Sequence, residues 1–562
     1  MIQGELGGPL TLDVPHEHLH PGPVGSRLAV IDYDFANQRF YEPVNLDDTA
    51  IAMQAGLAPC EVDPRFHQQM VYAVASKVLE TFDAALGRKI RFLRDDRRVK
   101  LRIFPHAFEG ANAFYDPNDV AVLFGYYRAS RRHPGRHQPG QIVFTCLSHD
   151  IIAHEVTHAV LDRIKRHYRF PTSHDAGAFH EGFSDAVTIL HQFSFPALLR
   201  ETIAKQHGNL GSHGVLADLA EQFGQTSGAG AALRSVIDAP DAKRQHRRLP
   251  VHDRGAILAA AIFSAFLRSY EARTRDLLRL ATGGLGRLPE GELPPDLVNR
   301  LAAEAAAAAR SILQMCIRAL EYAPPVDLTF GDYLRAIVTS DREIDPTDRY
   351  GQRRAMIEEF LRRGLYVEGV RSPAEDALCW DETDGKIEPL APNMIGNLFL
   401  KEATARSKHG DGGNLPTGEE YACKLLDYAR NNQELLGLVD TDKYPPDVAG
   451  FHALFRSDTY GQPVIELVAQ LVQQKEDPDT GIPLLGGTTL VARLGEGVRY
   501  VIRRKLPVEG TAGAKDKLEE RRAFLDTLSA GDPLCAWTGA LARWDRLRRL
   551  SPFTGPNLST RE

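Results

Sequence analysis

The chain has 562 residues, and its 67 Lys and Arg residues against 74 Asp and Glu residues give a formal net charge of −7. Apolar residues make up 43% and charged residues 25%, a composition that excludes disordered, coiled-coil and collagen-like chains. The acidic balance argues against nucleic acid as the main partner, because phosphate binding needs a basic surface. At about 150 residues per domain, the length predicts three or four domains, or two larger lobes with an appendage.

The sequence also carries expectations about location. Its first residues lack the basic and apolar regions of a secretory signal, so we expect a cytoplasmic protein, with unconventional export left open. The six cysteines form no CxxC pair and predict no disulfide framework. The longest apolar run, residues 255–267, is too short to span a bilayer, and we expect a buried core helix there and no membrane span. The pattern leaves the oligomeric state open.

The amino-terminal part alternates between extended and helical patterns. Apolar residues at helical spacing predict one helix over residues 64–86. Alternating segments predict strands in three places: residues 28–46, 90–104 and 112–127. The last of these contains the turn signal Asp-Pro-Asn-Asp at residues 116–119, which predicts a hairpin.

From about residue 147 helical patterns take over. They cover residues 148–166, 178–194, 255–269 and 298–322. Strands followed by helices indicate an α+β class with two lobes. We therefore divide the chain into an N-terminal arm, a β-rich N-lobe, a helical C-lobe with the active-site helix, and a C-terminal accessory region: residues 1–27, 28–146, 147–370 and 371–562.

The C-terminal accessory region differs in residue composition and pattern from the rest of the chain. Its first part is rich in Pro, Gly and Asp, which indicates loops. Its later pattern predicts helices near 418–436 and 462–475, a hairpin over 486–506 and a charged helix at 515–528. No motif in this region indicates a function.

One motif carries chemistry: residues 154–158 read His-Glu-Val-Thr-His on a predicted amphipathic helix. His154 and His158 are four residues apart, so both imidazoles project from one helix face and can bind one Zn²⁺. Glu155 is turned about 100° from His154 and can act as a base on a metal-activated water. The 20 histidines of the chain give about 0.05 chance matches to this pattern, so the motif alone is only moderately specific.

A third ligand follows on the next predicted helix. Glu181 and Asp185 are four residues apart and share one helix face. Glu181 can complete a set of three protein ligands, the number that a catalytic zinc binds while one position stays open. Asp185 can accept the second N–H of a ligating histidine and fix its tautomer. Taken alone, such a pair would be an ordinary solvated helix face.

The segment HEVTHAV at residues 154–160, followed by EGFSD at residues 181–185, resembles the thermolysin-like, or gluzincin, family of zinc metallopeptidases. The resemblance extends over roughly residues 28–366. It implies a two-lobed zincin with a β-rich N-lobe and a helical C-lobe, to which residues 371–562 add a further α/β region. It also implies one zinc ion per chain and a peptide or protein substrate.

The resemblance implies roles for further residues. Asn112 and Ala113 match the edge strand that pairs with the substrate backbone. Arg234 matches the arginine that holds the substrate carbonyl, and His252 matches the histidine that stabilises the oxyanion. Ile151 and Leu233 stand at positions that line the S1′ pocket in this family. Their apolar side chains imply a preference for an apolar residue just after the cut bond.

Each of these assignments has a plainer alternative, since Asn112 can be a turn residue, Arg234 a surface residue and His252 a helix cap. The chain also departs from the family: no tyrosine can be assigned to assist the oxyanion, and Arg247 stands where His252 should have an aspartate partner. Of the family's calcium ligands only Asp150 is evident, so structural calcium is not expected. Four other histidines are expected to be surface or packing residues: His149, His174, His180 and His246.

The sequence therefore predicts a zinc-dependent endopeptidase. One alternative is a latent or inactive gluzincin that acts as a binding or scaffold protein, with its cleft covered by the C-terminal region. Another is a zinc hydrolase that acts on something other than a peptide. In the alternative with a covered cleft, the hairpin at residues 486–506 would block access to the cleft by pairing with the edge strand at Asn112, as a substrate would. The plainer alternative is that the C-terminal region only packs against the helical lobe.

Overall fold

Two larger β-sheets, two small two-stranded sheets (β2–β3 and β4–β5) and a group of helices make up the part of the chain that the structure describes, which confirms the expected mixed α+β class. This computed structural model describes residues 11–94, 97–132, 137–170, 172–193, 195–205, 249, 251–284, 293–383, 418–477, 483–509, 511 and 513–528.

The amino-terminal part forms a mixed sheet and a long helix. Its described elements are β1 (Leu28–Val30), β2 (Tyr33–Asp34), β3 (Arg39–Phe40), α1 (Thr49–Met53), α2 (Pro64–Leu86), β4 (Phe92–Arg94), β5 (Arg97–Val99), β6 (Leu101–Glu109), β7 (Ala113–Asp116), β8 (Ala121–Arg128) and β9 (Ile142–Phe144). β6 is parallel to both β1 and β8, while β7 and β9 are antiparallel to β8. β7 therefore lies at an edge, and no described strand pairs with its other side.

Sequence signals at both ends explain the extent of α2. The Asp63 side chain caps its first turn, Pro64 occupies its first position, and Gly87 ends it in the left-handed conformation. The helix packs against β1 and β6 of the sheet. The N-terminal arm contacts the same helix, because the hydroxyl of Tyr72 donates a hydrogen bond of 2.6 Å to Glu17.

The helical part follows. Its described helices are α3 (His149–Ile164), α4 (His174–Gln192), α5 (Pro196–Lys205), α6 (Val251–Ala281), α7 (Pro295–Ala319), α8 (Phe330–Arg342), α9 (Gln352–Arg362) and α10 (Glu375–Leu378). The four helices predicted in this part are confirmed as α3, α4, α6 and α7. α3 contacts β7 and β8 as well as α2 and α4, so it lies between the first sheet and the other helices.

Helix α6 contains the longest apolar run of the sequence. It is the one described helix that is long and apolar enough to cross a membrane, judged by length and composition alone. Residues 255–263 of this helix are all buried, and it packs against α4, α7 and α9. A core helix of this kind accounts for the apolar composition.

The C-terminal region contains a second sheet. Its described elements are α11 (Gly418–Asn431), β10 (Asp447–Ser457), β11 (Pro463–Lys475), β12 (Leu484–Arg493), β13 (Gly497–Arg504) and α12 (Ala514–Leu528). The four strands pair antiparallel in chain order. The helices predicted near 418–436 and at 515–528 and the hairpin predicted over 486–506 are confirmed.

The helix predicted over residues 462–475 is wrong, because these residues form the central strand β11. Five apolar residues recur there at helical spacing: Val464, Leu467, Val468, Leu471 and Val472. A strand that is covered on both faces is apolar at successive positions, so periodicity alone does not distinguish it from a helix. Residues 466–473 are all buried in the sheet, which is the environment of such a strand.

Buried ion pairs join the second sheet to the helices. Glu321, which follows α7, is fully buried and accepts hydrogen bonds from Arg88 at 2.7 Å and from His452 of β10 at 2.9 Å. Glu343, which follows α8, pairs with Arg499 of β13 at 2.9 Å. Apolar side chains of the sheet belong to the same core as the helices, among them Leu454, Val468, Val491 and Ile502.

The hairpin at residues 486–506 does not pair with the edge strand at Asn112. β12 pairs with β11 and β13, so its main-chain groups are already used within the second sheet. Among the described strands, β7 pairs only with β8. The plainer expectation, that this region packs against the helical lobe, is confirmed by the ion pairs and the shared core.

The buried carboxylate of Glu321 gives a test of this junction. The Glu321→Ala variant leaves Arg88 and His452 without their partner away from water, and removing one member of a buried ion pair costs about 3–5 kcal/mol. We therefore expect urea unfolding to show a loss of stability of that order. The control is Glu496→Ala, because the Glu496 side chain is 51% exposed and a surface pair contributes about 1 kcal/mol at most. Equal losses in the two variants would contradict the role of Glu321.

Candidate metal centre

Two helices bring three metal-binding side chains together. His154 and His158 project from α3 one turn apart, and their Nε2 atoms are 3.0 Å apart. Glu181 lies on α4, with one carboxylate oxygen 3.4 Å from Nε2 of His154 and the other 3.7 Å from Nε2 of His158. One ligand atom from each residue lies within 4.8 Å of the others, so the three predicted ligands form a group that could hold a metal ion.

Serine caps fix where both helices begin. Ser148 accepts a hydrogen bond from the Ile151 N–H at the start of α3, and Ser173 accepts one from the Ala176 N–H at the start of α4. A capped start sets the rotational phase of each helix. The phase of α3 turns His154 and His158 toward α4, and that of α4 turns Glu181 toward them.

Side chains behind the two imidazoles orient them. Asp185 Oδ1 lies 3.0 Å from Nδ1 of His154, the ring nitrogen that does not face Glu181. Ser184 Oγ lies 3.2 Å from Nδ1 of His158. When an oxygen accepts the proton of Nδ1, Nε2 keeps its lone pair and can bind a metal. Asp185 therefore lies where the sequence predicted, whereas the contact of Ser184 was not predicted.

Glu155, the predicted base, is buried beside these ligands. Its carboxylate lies near the backbone N–H of Tyr115 in β7, which favours the ionised form. Burial raises the pKa of Glu155 to about 7, because a carboxylate is less stable away from water. A cation bound nearby would lower this pKa, since an opposite charge favours the ionised form.

His252, near the start of α6, lies against the third ligand. Its Nδ1 is 3.3 Å from a carboxylate oxygen of Glu181, and 49% of its side chain remains exposed. The negative charge of Glu181 raises the pKa of His252 to about 9, so the ring can donate a hydrogen bond. Although burial opposes ionisation of Glu181, His158 and His252 hold its pKa well below the usual value.

A contact between two glycines brings α6 this close to α4. A Cβ added to Gly255 would lie 2.8 Å from the nitrogen of Gly182 and 2.9 Å from the carbonyl oxygen of Ala178, both closer than real Cβ contacts. Gly182 follows Glu181 directly, and His252 lies one turn before Gly255. Because both residues at this crossing of α4 and α6 are glycines, the two helices approach closely, and this approach sets the distance between His252 and Glu181.

The edge strand lies next to this group, as the resemblance implied. Ala113 begins β7, Asn112 precedes it with an exposed side chain, and the Tyr115 N–H turns toward α3. Ile151 is buried on α3, one turn before His154. Two further predicted substrate-binding residues lie outside the described residues: Leu233 and Arg234.

The other histidines of this region are engaged in the fold. His180 is buried, with Nδ1 3.1 Å from Nδ1 of His158, so it is a packing residue in contact with a ligand. His149 is buried and contacts Asp150, and the ring of His174 packs against that of Phe524. His246 lies outside the described residues.

Two further residues of this region, Tyr168 and Asp150, have hydrogen-bond partners in the fold. Tyr168 is buried and donates a hydrogen bond of 2.6 Å to the carbonyl oxygen of Pro324. Asp150 accepts a hydrogen bond of 2.7 Å from Gln192. The Tyr168 hydroxyl is thus hydrogen-bonded to the backbone of the segment that follows α7.

The described residues contain a second group that could hold a metal ion, formed by His67, His106 and Cys146. These residues are far apart in the sequence and belong to three different elements, so no short motif links them. The expectation of one zinc per chain rested on the first group alone.

Comparison with known proteins adds no relative to this description. No protein-family model, no curated protein and no solved structure matches the chain. Its function is therefore inferred from the residues of the site.

The glycine crossing predicts an unusual sign for one substitution. Gly→Ala inside a helix normally stabilises it by about 1 kcal/mol. Because the added Cβ would overlap α4, we expect Gly255→Ala to destabilise the protein by about 1–3 kcal/mol in urea unfolding. The control is Glu271→Ala on the exposed side of α6, which should stay within about 0.5 kcal/mol of the original. A stabilised Gly255→Ala variant would show that the two helices can separate without cost.

Proposed function

We propose that the chain is a zinc-dependent endopeptidase of the thermolysin-like, two-lobed class, with the peptidase unit over roughly residues 28–366. The observation that carries the proposal is the group of His154, His158 and Glu181, with Glu155 beside it and the edge of β7 next to it. A zinc peptidase needs these parts: three ligands, a base and a place for an extended backbone.

The donor set fits zinc. Two imidazole nitrogens and one carboxylate form the ligand set of a catalytic zinc, which leaves one coordination position open. Nε2 of His154 and Nε2 of His158 both face Glu181, and Asp185 and Ser184 lie at the opposite ring nitrogens. This arrangement leaves both lone pairs available on the same side. A bound zinc ion would supply Lewis acidity, which lowers the pKa of a bound water and polarises a carbonyl.

The residues of the chain supply the proton transfers. Glu155 accepts the proton of the attacking water and then passes it to the leaving amine. The carboxylate of Glu155 lies between α3 and the edge strand, near the Tyr115 N–H. His252 is half-exposed beside Glu181 and donates a hydrogen bond to the oxyanion that develops on the attacked carbonyl.

The edge strand supplies substrate orientation. β7 has no described strand on its outer side, so an extended peptide can pair with its main chain. Ile151 lies on α3 just before the ligands, where it would contact the residue after the cut bond. A preference for an apolar residue at that position follows.

Metal analysis tests the centre itself. We expect the chelator-treated, zinc-reconstituted chain to lose one zinc per molecule when His154 is changed to Ala, because two ligands no longer suffice for tight binding. The matched control is His149→Ala, which removes another buried histidine from α3 but leaves the ligand group complete. Circular dichroism establishes that both variants fold. Equal zinc contents in the His154→Ala variant and the original chain would refute the assignment.

The base is tested by a change that keeps its shape. Glu155→Gln cannot accept a proton, so we expect retained zinc and peptide cleavage slower by a factor of about 10² or more. The control is Glu271→Gln, an exposed residue of α6, which should leave cleavage unchanged. Unstructured peptide libraries serve as the substrate, with apolar residues varied around the cut bond. Zinc binding without any cleavage by the original chain would favour the latent scaffold instead.

A further inference from the structure

A second set of metal-binding side chains lies where the first sheet meets α2 and the start of α3. His67 is in the first turn of α2, His106 is in β6, and Cys146 is in the 3₁₀ turn that precedes α3. Their exposed fractions are 1%, 1% and 0%. One ligand atom from each lies within 4.8 Å of the others. Nothing in the zinc peptidase mechanism uses these residues.

Hydrogen bonds on the far side of each ring fix the tautomers of both histidines. Nε2 of His67 is 3.1 Å from the carbonyl oxygen of Glu61, and a carbonyl can only accept, so this nitrogen carries the proton. Nδ1 of His106 is 2.6 Å from a carboxylate oxygen of Asp32 and donates its proton there. Asp32 is itself held by Gln68, whose side-chain amide donates to the other oxygen at 2.8 Å.

The two remaining ring nitrogens face each other. Nδ1 of His67 and Nε2 of His106 are 2.8 Å apart, and the tautomers leave a lone pair on each. Two lone pairs at this separation repel unless a proton or a metal ion lies between them.

Cys146 completes a ligand set that suits a borderline metal. Cys146 is fully buried, and a thiolate at this place requires a cation beside it. A bound metal ion provides that charge and deprotonates a coordinating thiol. In a tetrahedral zinc site the two nitrogens would be about 3.3 Å apart, so a small opening of the His67–His106 pair admits the ion.

We propose that His67, His106 and Cys146 bind a second transition metal ion of the zinc class, which ties the first sheet to α2 and to the start of α3. The Asp32–His106 pair has the form of the carboxylate–histidine–metal arrangement that orients ligands in metal proteins. Aromatic rings surround the histidines: Phe144 lies 4.7 Å from the ring of His67, and Tyr41 lies 4.9 Å from that of His106. This proposal does not depend on peptidase activity.

Cobalt distinguishes the two metal centres, because only the second contains a thiolate. Thiolate ligands give Co²⁺ an intense charge-transfer band in the near ultraviolet, which imidazole and carboxylate ligands do not. We expect the full chain, stripped with a chelator and titrated with Co²⁺, to show this band. His154→Ala should keep the band, Cys146→Ala should lose it, and Cys316→Ala, which changes another buried cysteine, should keep it.

A milder variant tests the same centre without removing a ligand. Asp32→Asn keeps the size of the side chain but weakens the acceptor at His106, and loss of such a contact lowers metal affinity about 10–100-fold. The Co²⁺ concentration at half-saturation of the band should rise by that factor. The proposal is overturned if the original chain shows no thiolate band, if Cys146→Ala retains it, or if folded Asp32→Asn binds Co²⁺ as tightly as the original.

Discussion

The candidate centre depends on how closely α4 and α6 approach each other. Gly182 and Gly255 let the two backbones touch, and no other residue could occupy either position without moving a helix. The crossing places His252 against Glu181, which α4 already turns toward His154 and His158 of α3. Although burial opposes its ionisation, the Glu181 carboxylate stays ionised because the imidazoles around it hold its pKa well below the usual value. Helix packing thus sets the charge of the third ligand.

A similar balance holds the C-terminal sheet in place. Glu321 and Glu466 are almost fully buried, and each has a cation nearby, Arg88 for the first and Arg456 for the second. Glu321 also contacts His452 of β10. The hydroxyl of Tyr322 also donates to Glu466 over 2.5 Å. Such pairs add little net stability, but breaking one is costly, so they favour one docking position over any other. Strands β10 to β13 are therefore part of the structure around the helices and not an appendage to it.

Local signals predicted much of this fold. Apolar spacing located α2, α3 and α4, and the four-residue spacing of His154 and His158 placed both ligands on one face. The same signals failed at β11, because burial on both faces removes the alternation that identifies a strand. The contacts of Tyr115 with Glu155 and of His67 with His106 were not predictable, since they join elements that only tertiary packing brings together. Gly182 was visible within the EGFSD segment, but its purpose depends on α6.

Helix α3 links both groups of ligands. Cys146 lies two residues before the cap of the helix, and His154 follows it by little more than two turns. The helix is continuous from its first turn to His154 and Glu155, so the position of that first turn fixes the position of both residues. Glu155 also lies near the N–H of Tyr115, which belongs to the same sheet as His106. A metal ion that joins Cys146 to His106 would hold the helix start against that sheet. The base and the edge strand would then keep a constant separation while a substrate binds between them.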